Sequence, residues 1–408
     1  MADASVLHRF RPALLIGVMA ISAWAEAQAV SEIARGHSWV SPYWGYCAPK
    51  IVFDGETYYT TGLWGATPET SEGVVYRLAD GAWQEGVRLP NIYQPATLLL
   101  DSEQRLIAVY TRQEAPAVFL RAKARGDALE MEELPAPPDM VNAYYPGAAI
   151  ANDILSVAYI SIPSYSMYLA QLDLKTKSWT PSLLMSAGQI ETKPKTAWTY
   201  PVLIPAENGL HVVASNCPDG GEGNSYNQVW YLLYPSGATE AARRELVAES
   251  PVGTNAYAMD MAVDANGGIH VVHMWNDVKY GDPLPPESAP AGTYDSYRGP
   301  STGIWTHERL GPITLAGFHQ SGEDLSLIME AGGTFSLSRW SPDKRTWEAQ
   351  ENLIETAQVP AGPSFVDVLR ASSGSAVRPE PVLVTDGLLP AVEGQPQTRM
   401  LWAVLPRP

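Results

Sequence analysis

The chain has 408 residues, with 44 acidic against 27 basic side chains and a formal charge of −17 at pH 7. A surface this acidic repels phosphate backbones and anionic lipid, which removes nucleic acid and membrane insertion from the expected partners. Tyrosine (20) far outnumbers phenylalanine (6) and tryptophan reaches 13; such rings pair an apolar face with a polar edge and suit contact with carbohydrate.

The chain opens on a processing segment. His8, Arg9 and Arg11 make a positive start, residues 13–25 are an apolar run, and Ala27, Gln28 and Ala29 supply a small-residue cleavage site. The run falls short of the ~20 residues that span a bilayer. Residues 1–29 are therefore expected to be a signal peptide and 30–408 a single exported domain, secreted or periplasmic and monomeric. The two cysteines, Cys47 and Cys217, are expected as unpaired thiols, because they fall in repeats on opposite sides of the ring described next.

Past the leader, one outline recurs. Tyr46 sits in GYCAPKIVF, Tyr93 in NIYQPATLL, Tyr144 in NAYYPGAAI, Tyr200 in WTYPVLI and Tyr257 in NAYAMDMAV. Each tyrosine introduces a short apolar run, and the interval is roughly fifty residues, the signature of a β-propeller. The first four periods each break into four strands rich in Val, Ile, Leu, Tyr and Trp, separated by Gly, Asp, Asn and Pro. The fifth opens with MDMAV and GIHVVHMW, then carries a Pro/Gly-rich insertion over 276–303 before GIWTHERL. The sixth runs PITLAGF, DLSLIM, FSLSRW and TWEAQENL. The seventh has SFVDVL, PVLVT and MLWAVL, and stops one strand short.

Tryptophan recurs on the outermost strands, at Trp83, Trp179, Trp305 and Trp347, and HSWVSP with Trp39 has the same outline. That N-terminal segment is expected to supply the missing strand and close the ring, which removes a free sheet edge. The alternative is a loose N-terminal arm. Seven blades is the expected count, with six or eight still open. His211 and His270 follow Asn-Gly turns in two blades and occupy equivalent places, which points to a structural role.

At the turns between third and fourth strands the chain reads SPDKRTW, LDLKTKSW and LADGAW. The first resembles the Asp-box turn of sialidase-type repeat propellers, although Arg345 stands where glycine is expected and the spacing is one residue short. The chain is thus similar to a divergent member of that group, which includes sialidases, other glycoside hydrolases, polysaccharide lyases and binding propellers. The resemblance implies architecture and a carbohydrate-active setting, and no mechanism. Sialidases resemble one another in three arginines and an early Arg-Ile-Pro; this chain has no Arg-Ile-Pro, and only Arg112 and Arg298 are expected near the rim.

In a propeller the loops entering the first strands and leaving the second strands meet on one concave face, the default ligand site. That places Tyr46, Tyr93, Tyr144, Tyr200 and Tyr257 there, with Arg112, Asn216, His273, Trp275 and Glu330, and Lys195 on a flanking loop. The set reads equally as packing between blades. His273 breaks the repeat and suits proton transfer near neutrality, or else a satisfied buried histidine. Asp260, an acid inside AMDMAV, requires a cationic partner, either structural or catalytic.

Two reactions fit these residues. β-Elimination on a uronate sugar takes His273 as base, Tyr200 or Tyr257 as acid, and Arg112 or Lys195 to neutralise the carboxylate. Glycoside hydrolysis needs two carboxyl groups across the bond, from Asp260, Asp277 or Glu330. A non-catalytic glycan- or protein-binding propeller is the alternative. No cofactor is expected, and a structural metal ion is left open.

Overall fold

The computed structural model describes residues 30–43, 49–112, 115–161, 165–185, 197–217, 226–238, 240–277, 291–312, 315–331, 334–349, 354–355, 366–392 and 395–405. Their strands form seven antiparallel sheets of four strands, two of which carry a short extra strand. The fold is a seven-bladed β-propeller.

The sequence dictates which strand goes where. Innermost strands such as Ile51–Phe53 and Thr97–Leu100 are buried throughout, because neighbouring blades cover both faces. They read as unbroken apolar runs. Outermost strands such as Arg243–Glu249 and Trp305–Gly311 are largely exposed and carry the charge. Seven apolar clusters fill the spaces between consecutive sheets. One joins Leu99 and Phe119 of the second blade to Leu155 and Leu172 of the third. Another joins Ile33, Val384 and Met400 of the last blade to Ile51 and Val74 of the first, so the packing runs round the whole ring.

The last blade is built from both ends of the chain. Ser31–Gly36 pairs with Gln395–Val404, which pairs with Val382–Val392 and then Val366–Val368. An N-terminal strand therefore does complete the blade, but it precedes Trp39. Trp39 instead serves the rim of the first blade: its backbone N–H donates to Gly65 O at 2.8 Å and its indole to Ser71 Oγ at 2.8 Å.

The fifth blade brings a second correction. Its third strand, Gly292–Arg298, lies inside the stretch read as an insertion. The strand was hidden by its polar side chains, Asp295, Ser296 and Arg298, whose partners come from other strands. Arg298 lies far from the tyrosine rim expected for it: it pairs with Ile269 at the far end of the second strand and bonds Glu245 at 2.7 Å.

The outer tryptophans reach back to the preceding blade. Trp179 donates to Pro135 O at 2.6 Å, Trp305 to Glu245 at 3.1 Å and Trp347 to Asp295 at 2.8 Å, while Trp83 packs edge-on against Trp402. Two residues before the tryptophan, Gly81, Lys177 and Arg345 all have φ between 54° and 76°. This is the left-handed corner where glycine is favoured, and Arg345 occupies it in glycine's stead.

One end of the axis is plugged. After Val366–Val368 the chain turns through Ala371–Ser373 and crosses beneath the innermost strands, where Ser375 Oγ accepts from Phe53 N at 3.2 Å. Gly374 sits at φ 79°, and a Cβ there would lie 1.9 Å from Leu100 O. Gly374→Ala is therefore expected to destabilise the fold by about 2 kcal/mol or more, through strain and the backbone clash. A lowered urea midpoint at unchanged slope checks this.

Candidate functional site

The first strand of each blade begins where its second strand ends: Ala143 pairs with Ser161, Ala197 with Cys217 and Ala256 with Trp275. Corresponding side chains in successive blades therefore arrive side by side on one face. The tyrosines form a continuous row there. Ring centroids are 5.4 Å apart between Tyr93 and Tyr144, 6.3 Å between Tyr144 and Tyr145, and 4.7 Å between Tyr145 and Tyr200. The row continues at 6.1 Å to Tyr257 and 5.7 Å from there to Tyr226. Trp39 extends it at the other end, 5.9 Å from Tyr93. Each of these tyrosines is partly exposed. Burial pushes the phenol of Tyr93 up and lifts Tyr226 to about 12, which keeps both protonated.

The row is held in a strained backbone. Tyr145 and Tyr200 have φ of 49° and 51°, although both precede proline. A bulky residue in the left-handed region costs of order 1–3 kcal/mol, and strain of this kind gathers at functional sites. The cause is local. Pro146 and Pro201 have no N–H to give the ladder, and both strands bulge at this point, between Tyr144 and Gly147 and between Thr199 and Val202. Neighbouring blades clamp the result. Gln94 Oε1 accepts from Tyr145 N at 3.0 Å, and Gly147 leaves no room for a Cβ, which would lie 1.9 Å from Pro201 O.

By this register Tyr145, and not Tyr144 alone, is the counterpart of Tyr200. Sequence reasoning missed Tyr145, Tyr226 and Gln94; the shared Tyr-Pro dipeptide is the signal that finds the first. Arg112 lies at the Tyr93 end of the row, bridged to Ile92, with its guanidinium 5.8 Å from the Tyr110 ring centroid. Asn216 and Glu330 end their second strands on this face and are buried. Tyr46, Cys47 and Lys195 lie outside the described residues, and Cys217 is a buried free thiol.

His273 and Asp260 point elsewhere. His273 turns into the crevice between the fourth and fifth blades, where Nε2 meets Ser296 Oγ at 2.8 Å, and burial pushes its pKa down to about 4. Trp275 lines the same crevice. Asp260 has the cation its burial demands: Arg370 Nη1 lies 2.7 Å from Oδ1, and Phe318 N donates to Oδ2 at 2.7 Å. Burial still raises this carboxyl to about 6, against the opposing pull of Arg370. Arg370 also bonds Asp367 at 3.2 Å, and Asp367 in turn accepts from Lys50 N. Four blades are joined through this one chain of bonds.

The fold has solved counterparts. A polysaccharide lyase of family PL25, an ulvan lyase, matches with a TM-score of 0.63 at 10% identity over 91% of this chain and 95% of its own. A second structure of that ulvan lyase, bound to -[GlcA(1-4)Rha3S]-, gives 0.63 at 11% identity, with the same coverage of both chains. A chain of the mitotic checkpoint complex matches at 0.52 and 9% identity over 99% of this chain and 98% of its own. The likeness is one of fold. No family model matches the sequence, and no curated protein matches it.

The equivalent histidines of the fourth and fifth blades are both buried but titrate oppositely. His211, bonded to Tyr231 at 2.9 Å and Asn208 at 2.7 Å, is pushed down to about 4 by burial and by Arg243. His270 suffers burial too, but Asp295 at 2.8 Å and Asp264 at 3.6 Å hold it up at about 9. The contributions of neutral His211 and His273 are present above pH ~6.5 and are lost as pH falls towards 4, on the order of 2 kcal/mol each by pH 4.5. That of charged His270 is present below ~6.5 and is lost as pH rises through 9. Thermal unfolding across pH 4.5–9.5 is expected to show a maximum near neutrality, and His211→Gln is expected to flatten the acid side.

Removing Arg370 while Asp260 remains leaves a buried carboxylate alone. Arg370→Met is expected to cost about 3–5 kcal/mol, with much of it recovered in the Asp260→Asn/Arg370→Met double variant. Urea unfolding of the three proteins measures this coupling.

Proposed function

We propose that this chain is an exported, carbohydrate-active propeller whose tyrosine row takes an extended acidic polysaccharide and cleaves it by β-elimination. The observation that carries the reading is the unbroken row from Tyr93 to Tyr257, with Tyr145 and Tyr200 held strained at its centre. A row of partly exposed phenols offers successive sugar rings apolar faces to lie against and hydroxyls to bond. Arg112, at the Tyr93 end, suits a sugar carboxylate. The lyase neighbour of the same fold was solved with a glucuronate-containing chain, which supports an acidic glycan as the class to try first.

In the reaction, the proton beside the uronate carboxylate is removed and its electron pair forms the ring double bond. The C–O bond to the next sugar breaks, and a phenol returns a proton to the leaving oxygen. Tyr200 is the residue proposed for that return. The expected base, His273, faces the crevice; the proton passes instead to Tyr257, beside Tyr200 in the row and acting as the phenolate, since Tyr93 and Tyr226 are held protonated. Hydrolysis is the weaker reaction, since Asp260 is committed to Arg370.

The binding reading has an observation of its own: His273 and Asp260, the two titratable groups that break the repeat, are both engaged in buried networks. Incubation with glucuronate-containing polysaccharides separates the two. Cleavage yields an unsaturated uronate absorbing at the ultraviolet edge, and Tyr200→Phe is expected to lower its rate by about 10²–10⁴ with glycan affinity nearly unchanged. Affinity with neither this absorbance nor new reducing ends, on polyuronates and neutral glycans alike, would leave binding as the function.

A further inference from the structure

Between the fourth and fifth blades, beside the end of the tyrosine row, lies a cavity of about 340 Å³ lined by Ala248, Glu249, His273, Trp275, Tyr294 and His307. Its walls are built from one side of the fifth blade and the last residues of the fourth blade's outer strand. Trp275 and Tyr294 stand at 72° with centroids 6.5 Å apart, so their faces form a corner. Tyr294 stacks on His273 at 11° and 5.8 Å. Glu249 lines the cavity with its backbone carbonyl, which accepts from Trp275 Nε1 at 2.8 Å, while its carboxylate bonds Gln228 Nε2 at 2.7 Å on the face turned to the third blade.

The two imidazoles are tied through one buried hydroxyl. Ser296 Oγ lies 2.8 Å from His273 Nε2 and 2.8 Å from His307 Nδ1. A hydroxyl has one proton, so it donates to one ring and accepts from the other. His273 Nδ1 faces Met274 O at 3.4 Å, where only an N–H is useful, which makes its Nε2 the acceptor. Ser296 therefore donates to His273 and accepts from His307 Nδ1–H. Nε2 of a neutral His307 is then a lone-pair acceptor. Burial lowers the pKa of both rings, so neither presents a positive charge at neutral pH.

We infer that this crevice binds an organic ammonium group, caged by Trp275 and Tyr294, with the His307 lone pair as its polar partner. Electron-rich ring faces at a corner and a lone pair on an uncharged imidazole favour a cation over an anion or a neutral group. The volume suits a quaternary amine or a single amino sugar. The inference is independent of glycan cleavage, because none of the row tyrosines takes part.

The test uses the full exported domain, with tryptophan fluorescence and calorimetry as readouts. The probes are choline against its uncharged isostere 3,3-dimethylbutanol, and glucosamine against N-acetylglucosamine. Choline or glucosamine is expected to bind at least about tenfold tighter than its neutral counterpart, with dissociation constants on the order of 1 mM. Whichever cation binds tells a small quaternary amine from an amino sugar. Trp275→Ala is expected to lose about tenfold or more of that affinity. His307→Phe, at an exposed position on the outer strand, is expected to lose several-fold. Equal binding of the neutral partners, no binding of either cation at about 50 mM, or unchanged affinity in Trp275→Ala and His307→Phe would each overturn the assignment.

Discussion

The structure depends on an ion pair at its centre. Asp260 is carried by the innermost strand of the fifth blade and is 1% exposed, a place where an unpartnered carboxylate is untenable. Its cation, Arg370, stands more than a hundred residues later, just after the innermost strand of the seventh blade. Arg370 also holds Asp367, which takes the backbone N–H of Lys50 at the entrance to the first. With Phe318 N of the sixth blade on the other oxygen of Asp260, the network orders the fifth, sixth, seventh and first blades about the axis. The segment that carries Arg370 goes on to plug one end. The tyrosines gather at the opposite end.

The tyrosine row follows from repetition combined with local exception. Repetition brings equivalent strand starts together at distances where aromatic rings touch. The exception is proline: by removing a ladder donor at Pro146 and Pro201 it forces a bulge, and the bulge turns Tyr145 and Tyr200 towards each other. A regular strand would alternate these side chains between the two faces of the sheet and break the row. The strain is maintained because Gln94 and the close approach at Gly147 leave the backbone no relaxed alternative.

Much of this was legible in the chain. The interval of the tyrosines, the apolar inner strands and the deficit of one strand at the C-terminus pointed to seven blades completed from the N-terminus. What escaped were features whose partners are remote. Gly292–Arg298 looks too polar for a central strand until His270, His273 and Glu245 are seen to meet Asp295, Ser296 and Arg298. Trp39 shares an outline with the outer-strand tryptophans, yet the pairing falls on Ser31–Gly36, because Ile33 is the residue that fills the space between the last and first blades. Spacing alone does not separate the adjacent Tyr144 and Tyr145; the bulge does.

By itself the sequence determined the repeat, the all-β class, the burial order within each blade and the face on which the tyrosines gather. These follow from local periodicity, which every residue reports directly. Only the tertiary structure decided the fate of the ionisable groups. His211 and His270 follow near-identical turns, yet one is neutral and the other charged, because Tyr231 and Asn208 surround the first and two carboxylates the second. Asp260 and His273 likewise acquired their roles from Arg370 and Ser296. A side chain's charge is set by what lies within a few ångströms of it, and for a buried group those neighbours come from strands distant in the chain.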